Sequence, residues 1–304
     1  MTFRAAVVQD SPVFFNLKLT IDKVETITKE ASTNGASLVV FPEAFISAYP
    51  KGLNFGAKIG SRTPEGRKEF LQYYNSSLDF NSSEFKKLLN IAKKNKVFLV
   101  IGVIEKSSGT LYCTILHISD KGTLLCKHRK VMPTAAERLV WGFGDGSTLQ
   151  TTKTRLGVLG SVICWENYMP MMRMAMYNQG IELYCAPTAD DRETWISTVR
   201  HIALEGRCFV FSSCQFFTKN DYPTNFKISK GLGNEVIMKG GSCIISPLGK
   251  ILADAGNDKR TIIYSDINLD EIIEGKYDFD VVGHYSRPDI FKLKVNKKPK
   301  KPVI

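Results

Sequence analysis

Cys164 closes the apolar run Gly157-Val-Leu-Gly-Ser-Val-Ile-Cys164 and is followed at once by Trp165-Glu-Asn-Tyr-Met-Pro170. A cysteine at a strand-to-helix junction is well placed for covalent chemistry. The tight turn exposes its sulfur, and the N-terminal end of a helix favours the thiolate, which is the reactive form. The placement parallels the nucleophile elbow of other hydrolases, without that motif's flanking glycines. A buried structural cysteine is an equal reading of position alone. Cysteines 113, 126, 185, 208, 214 and 243 fit that second reading better, since most lie in apolar runs where Cys behaves as a small hydrophobe.

A thiolate nucleophile needs a base and a group that stabilises charge developing on the substrate. Of the four histidines, His117 lies in a strand-like run and His201 in a helical one, while His128 and His284 fall at strand edges or loops. None stands in a neighbourhood that marks it as the partner of a cysteine, and no two have metal-ligand spacing, so no metal is expected. Carboxylates do better. Glu43 follows Val39-Val-Phe-Pro42, at the end of a buried strand, where α/β folds place their sites. A loop-fixing acid is its alternative reading. Lys130 ends Cys126-Lys-His-Arg-Lys130, and Glu137 follows seven residues later; a solvated strand-end lysine and a surface acid are the ordinary readings. Residue by residue, Cys164, Glu43 and Lys130 form a candidate group.

The elements that must carry these residues alternate. Short apolar runs at 4–9, 36–41, 97–105, 156–164, 181–187 and 208–215 read as strands. Residues 16–33, 82–94, 166–178 and 193–205 carry apolar side chains at helical spacing, with Ser82 placed as an N-cap. Hairpins are expected around Asp120-Lys-Gly122 and Pro247-Leu-Gly249, and a last strand at 260–267. Residues 51–67 read as a long loop. Strand–helix alternation together with hairpins predicts an α/β fold: two mixed sheets packed together, with helices on the outer faces. Residues 1–290 are expected to form one such unit, with no linker dividing it, and 291–304 a basic, flexible tail.

Composition narrows the function classes. Hydrophobic residues at 43% suffice for a full core. The net charge of +11 is drawn in part from the tail, which has six lysines and no acid from residue 292 onward. No aromatic residue interrupts those lysines to stack on bases, so a solvated terminus is favoured over nucleic-acid binding. Seven cysteines without a Cys-x-x-Cys fit a reducing compartment. No signal peptide and no bilayer-length apolar run are apparent, so a cytoplasmic protein without membrane or nucleic-acid partners is expected. Gly142-Phe-Gly-Asp-Gly146 is a poor dinucleotide loop, because it does not join a strand to a helix. Methionines 169, 171, 172, 174 and 176 suit packing better than metal binding. Tyr49, Trp141, Trp165 and Tyr168 are aromatic candidates for lining a substrate pocket, with a core role as the alternative. Loops 47–60 and 188–195 are the expected pocket walls.

Three separated segments change the weight of the single-residue readings. Phe41-Pro-Glu43-Ala-Phe, His128-Arg-Lys130-Val-Met-Pro-Thr and Ile163-Cys164-Trp-Glu-Asn, in that order, resemble the motifs of the nitrilase superfamily of carbon–nitrogen hydrolases. Glu137-Arg-Leu-Val-Trp141-Gly-Phe-Gly-Asp-Gly-Ser147, Tyr184-Cys-Ala-Pro-Thr188, His201-Ile-Ala-Leu-Glu-Gly-Arg207 and Gly283-His-Tyr-Ser-Arg-Pro288 are similar to its nitrilase branch rather than its amidases. The resemblance covers residues 3 to 290. It implies a four-layer α-β-β-α sandwich and a homodimer or larger, even helical, assembly. It also implies a Glu–Lys–Cys set: Cys164 as nucleophile, Glu43 as proton acceptor and later donor, Lys130 as charge stabiliser, and Glu137 as a supporting second glutamate. The implied reaction takes a small-molecule nitrile and water to a carboxylic acid and ammonia without a cofactor. An amidase or a cyanide- or nitrile-hydrating relative is the nearest alternative, and a non-catalytic binding or filament-forming homologue the next.

Overall fold

Fourteen strands and six α-helices follow one another along the chain in a computed structural model that describes residues 2–224, 226 and 235–300. In chain order they are β1 (Thr2–Gln9), α1 (Leu17–Thr33), β2 (Ala36–Val40), α2 (Pro64–Asn75), α3 (Ser83–Asn95), β3 (Phe98–Ser107), β4 (Thr110–Ile118) and β5 (Leu124–Arg129). Then come β6 (Thr152–Thr154), β7 (Gly157–Ser161), α4 (Pro170–Tyr177), β8 (Leu183–Thr188), α5 (Thr194–Gly206), β9 (Phe209–Cys214) and β10 (Phe216–Thr218). The last are β11 (Val236–Lys239), β12 (Cys243–Ile245), β13 (Ile251–Asp254), β14 (Thr261–Asn268) and α6 (Asp270–Asp278).

Two six-stranded sheets run β14-β1-β2-β3-β4-β5 and β13-β12-β9-β8-β7-β6. Each has a parallel centre (β1-β2-β3; β7-β8-β9) flanked by antiparallel strands. That is the mixed pairing expected from apolar runs interleaved with hairpins. Side chains such as Val7, Leu38 and Val40 meet Leu159, Leu183 and Phe209 in one apolar layer between the sheets. A second layer joins the first sheet to α1 and α3 through Ile21, Val24, Leu88 and Ile91. A third joins the second sheet to α4 and α5 through Met172, Met176, Val199 and Ile202. The result is α-β-β-α, and the α4 methionines Met172 and Met176 take the packing role.

Some elements depart from expectation. Residues 51–67 are not loop throughout, because α2 begins at Pro64. Thr63 caps it by accepting from the Gly66 N–H at 3.0 Å, and Pro64 takes the first helical position, where its missing N–H costs nothing. The helix expected over 166–178 is split. Cys164–Tyr168 forms a single 3-10 turn, Met169 is extended (ψ 106°), and α4 starts at Pro170. A residue before proline is pushed out of the helical region, which accounts for the break. The glycines of 142–146 serve close packing. A Cβ at Gly144 would collide with the Arg129 carbonyl, and the Gly144 N–H donates to the Lys130 carbonyl at 2.8 Å.

In the basic segment, Val295 packs against the third apolar layer and the Lys300 N–H donates to Asp145 at 2.7 Å. Residues 301–304 of the tail lie outside the described residues. Among the described residues no helix is long and apolar enough to cross a membrane.

Candidate active site

Glu43 leaves the end of β2 on a loop that stays bonded to β3. The Phe41 N–H donates to the Val100 carbonyl, the Gly102 N–H to the Pro42 carbonyl, and the Ile46 N–H to the Gly102 carbonyl. Only glycine fits at 102, since a Cβ there would strike the Pro42 carbonyl and the Ala44 nitrogen. The loop turns through a positive φ at Ala44 (49°) and directs Glu43 inward. Lys130 follows β5 and reaches the same interior with no exposed surface. Its Nζ donates to Glu43 Oε1 at 2.7 Å and to Glu137 Oε2 at 2.8 Å, beside the Trp141 ring. Glu137 lies on the 3-10 turn Ala135–Leu139; it also accepts from the Tyr49 hydroxyl at 2.7 Å and from the Thr134 N–H at 2.6 Å.

Cys164 arrives from the second sheet. It has φ 49°, in the left-handed region that side chains other than glycine and asparagine seldom enter, which is the strained geometry of an elbow. The Thr188 hydroxyl at the end of β8 donates to its sulfur at 3.2 Å. Burial, with the negative charge of Glu43, raises the Cys164 thiol above its ordinary range against the opposing Lys130 charge. The expected thiolate stabilisation by a helix N-terminus is therefore not realised. The turn that follows is a single 3-10 turn broken at Met169, not the opening of a helix. The resting sulfur is a thiol and needs a base.

Glu43 has the environment of one. Burial lifts its carboxyl above the usual range, the Glu137 charge adds to this, and Lys130 opposes both. A carboxyl moved toward neutrality can both take and return a proton. Its Oε2 has no hydrogen-bond partner among the described residues. Lys130 is desolvated by burial, but the negative groups around it dominate and its ammonium is held well above its ordinary range. Burial and the carboxylates keep Tyr49 a phenol. The arrangement thus offers a buried thiol, a carboxylate able to accept its proton, and a fixed cation where negative charge would develop.

A cavity of about 190 Å³ opens over this group, lined by Tyr49, Lys51, Glu137, Cys164, Trp165 and Asp190 among others. The loops 47–60 and 188–195 supply Tyr49, Lys51 and residues 189–192 of its wall, and Thr134, Glu137, Cys164 and Trp165 supply the rest. Lys51 pairs with Asp191 at 3.0 Å, and the Trp165 indole N–H donates to Asp190 at 2.8 Å.

A family model described as carbon-nitrogen hydrolase matches residues 4–277. The chain belongs to the carbon–nitrogen hydrolase family.

Its relatives place this hydrolase in the nitrilase branch, as its motifs suggested. A protein named aliphatic nitrilase from Sinorhizobium fredii is 52% identical over 99% of this chain and 98% of its own length. A bifunctional nitrilase/nitrile hydratase of Nicotiana tabacum is 50% identical over 99% of this chain and 88% of its own. The crystal structure of a carbon-nitrogen hydrolase from Helicobacter pylori G27 has the same fold, with TM-score 0.76 at 20% identity over 95% of this chain and 97% of that one.

The structure of the hydrolase brings Glu43, Lys130, Glu137 and Cys164 to one site, drawn from both sheets. Of the four aromatic candidates, Tyr49 and Trp165 line the cavity. Trp141 and Tyr168 do not. Trp141 is buried behind Tyr49 and Lys130, and Tyr168 is 41% exposed, packed on Trp165 and Trp195 outside the cavity. Several participants went unread in the sequence. Cys113 donates to Glu43 Oε1 at 3.4 Å, the Gln215 amide donates to the Glu43 carbonyl at 2.8 Å, and Thr188 touches the sulfur. Cys113 and Thr188 arrive from strands and Gln215 from the link between β9 and β10, all distant from their partners in sequence, so no local pattern announces them. His128, read as a strand-edge residue, is buried on β5 and bonded to Glu166.

Proposed function

We propose that this hydrolase converts a nitrile to its carboxylic acid and ammonia through covalent intermediates on Cys164. The observation that carries the reading is the buried chain Glu43–Lys130–Glu137 set beside the buried thiol of Cys164. Glu43 takes the Sγ proton, and the sulfur attacks the nitrile carbon. Nitrogen gains a proton and the thioimidate forms, with Lys130 stabilising the charge on nitrogen. Glu43 then activates a water that adds to the carbon; the C–N bond breaks and ammonia leaves a thioester. A second water cleaves the C–S bond, releasing the acid and the free thiol. Glu137, held by Tyr49, keeps Lys130 in place.

The cavity of about 190 Å³ is smaller than sites for drug-sized ligands, which run roughly 300–1,000 Å³. That favours small aliphatic nitriles, as does the name of the Sinorhizobium relative. Intact-mass spectrometry during turnover tests the scheme: a substrate-derived adduct mapping to Cys164 supports it, and turnover by Cys164→Ala protein excludes it.

A second reading concerns the product. Relatives named for both nitrilase and nitrile hydratase activity support partial release of amide. If the tetrahedral intermediate loses the thiol instead of ammonia, the amide results. Chromatography of acid and amide separates the two outcomes. A homodimer or larger homo-oligomer in the cytoplasm, built from residues 1–290 as one domain, belongs to the same proposal; exposed Tyr168, Met169 and Met171 supply apolar surface for association. Sedimentation velocity measures the assembly.

A further inference from the structure

Lys130 directly follows β5 and Cys164 lies three residues past β7, strands of different sheets, and among the described residues no backbone ladder joins those two sheets. Facing sheets meet through side chains about 10 Å apart, so the spacing of two reacting groups across that gap must be set by something else. One carboxylate spans it. Glu166 is 1% exposed. Its Oε2 accepts from the Ile163 N–H at 2.9 Å, and its Oε1 from the Val131 N–H at 2.6 Å. Ile163 is the residue before Cys164, and Val131 is the residue after Lys130. Both carboxylate oxygens also face His128 Nε2, at 3.1 and 3.3 Å. His128 is buried on β5, and its Nδ1 meets the Thr148 hydroxyl at 3.1 Å. Burial alone would raise the Glu166 carboxyl, but the His128 charge and hydrogen bond, with the two backbone N–H groups, outweigh it and the net shift is downward.

The neighbouring Asn167 secures the same turn from the other side. Its amide donates to the carbonyls of Val162 and Cys164, at 2.9 and 2.8 Å. The strained φ of Cys164 is thus fixed on both flanks, but only Glu166 also holds the lysine strand.

We propose that Glu166, backed by His128, is the positioning residue that fixes Cys164 relative to Lys130 across the two sheets. The inference rests on the roles given above to Cys164 and Lys130. A glutamine at 166 keeps the volume but turns one acceptor into an N–H donor facing donors, so the two strand ends lose a shared anchor. A displacement on the order of 1 Å between reacting groups can cost about 100-fold in rate.

The test is Glu166→Gln, read by kcat, KM, melting temperature and the rate at which iodoacetamide alkylates Cys164, followed by peptide mass. The expected result is a kcat lowered by roughly 100-fold with KM within about threefold, and slower alkylation of Cys164 in protein that still melts cooperatively. A folded Glu166→Gln protein with kcat and alkylation rate within about threefold of the parent overturns the proposal. If that variant does not fold, His128→Asn and His128→Gln decide. Glutamine returns an N–H near the place of Nε2 and asparagine does not, so alkylation recovers only in His128→Gln; equal rates in both overturn the proposal. Alkylation is measured without nitrile. A parent that is alkylated normally but inactive on nitriles would therefore count against the substrate reading and leave this inference intact.

Discussion

Lys130 Nζ sits 2.7 Å from Glu43 Oε1, and neither side chain has any exposed surface. The pair orders the rest of the site. The lysine stays a cation because two carboxylates surround it, and the carboxyl of Glu43 stays poised because burial and Glu137 work against the lysine. Removing one partner of such a buried pair leaves an uncompensated charge, so substitutions here cost both structure and activity.

Glu43→Gln is expected to lower kcat roughly 100- to 10,000-fold, the range for loss of a general base. The pH dependence follows from the direction of its shift. Glu43 must be ionised to accept the Cys164 proton, and its carboxyl is raised, so kcat/KM falls as pH drops through a midpoint above 4.5. A kcat/KM profile from acid to neutral pH measures this limb, which the glutamine variant should lack.

The sequence foretold the identity of this pair and not its geometry. Glu43 and Cys164 were legible as candidates because each follows an apolar run, and strand ends are where an α/β fold gathers polar chemistry; Lys130, at the end of a basic run, stood out only through the resemblance of the three motifs. The outer layers were legible from Ile21, Val24, Leu88 and Ala92, whose helical spacing fits one face. What stayed hidden depends on contacts between distant segments. Nothing in the strand read over 97–105 marks Gly102 as the point where the Pro42 carbonyl lies against the chain. Glu166 reads as a helix-start acid, because its partners are backbone N–H groups that leave no mark in the sequence. Pro64 reads as a loop residue although it opens α2.

In the proposed mechanism Glu137 acts through its bond to Lys130, and Tyr49 through its bond to Glu137. Tyr49→Phe removes a 2.7 Å hydrogen bond to a carboxylate, a loss of about 1.5–3 kcal/mol, and is expected to reduce kcat roughly 10- to 100-fold. Glu137→Gln should cost more than Tyr49→Phe. A double-mutant cycle of the two should be strongly non-additive, since both substitutions loosen the same ammonium. Steady-state kinetics on the three variants checks the order and the coupling.

Gly102→Ala tests the loop that delivers Glu43. The added methyl collides with the backbone at Pro42 and Ala44, and overpacking of this kind costs about 1–3 kcal/mol. Urea denaturation should show that loss. Activity should fall further than stability, because the displaced atoms carry Glu43 itself.

The most direct test is ammonia and acid release from a panel of small aliphatic, arylaliphatic and aromatic nitriles and their amides, with Cys164→Ala as control. The account expects acid and ammonia from small aliphatic nitriles, with loss of both in the cysteine variant. Turnover of amides alone, or nitrile hydrolysis that survives Cys164→Ala, would contradict it.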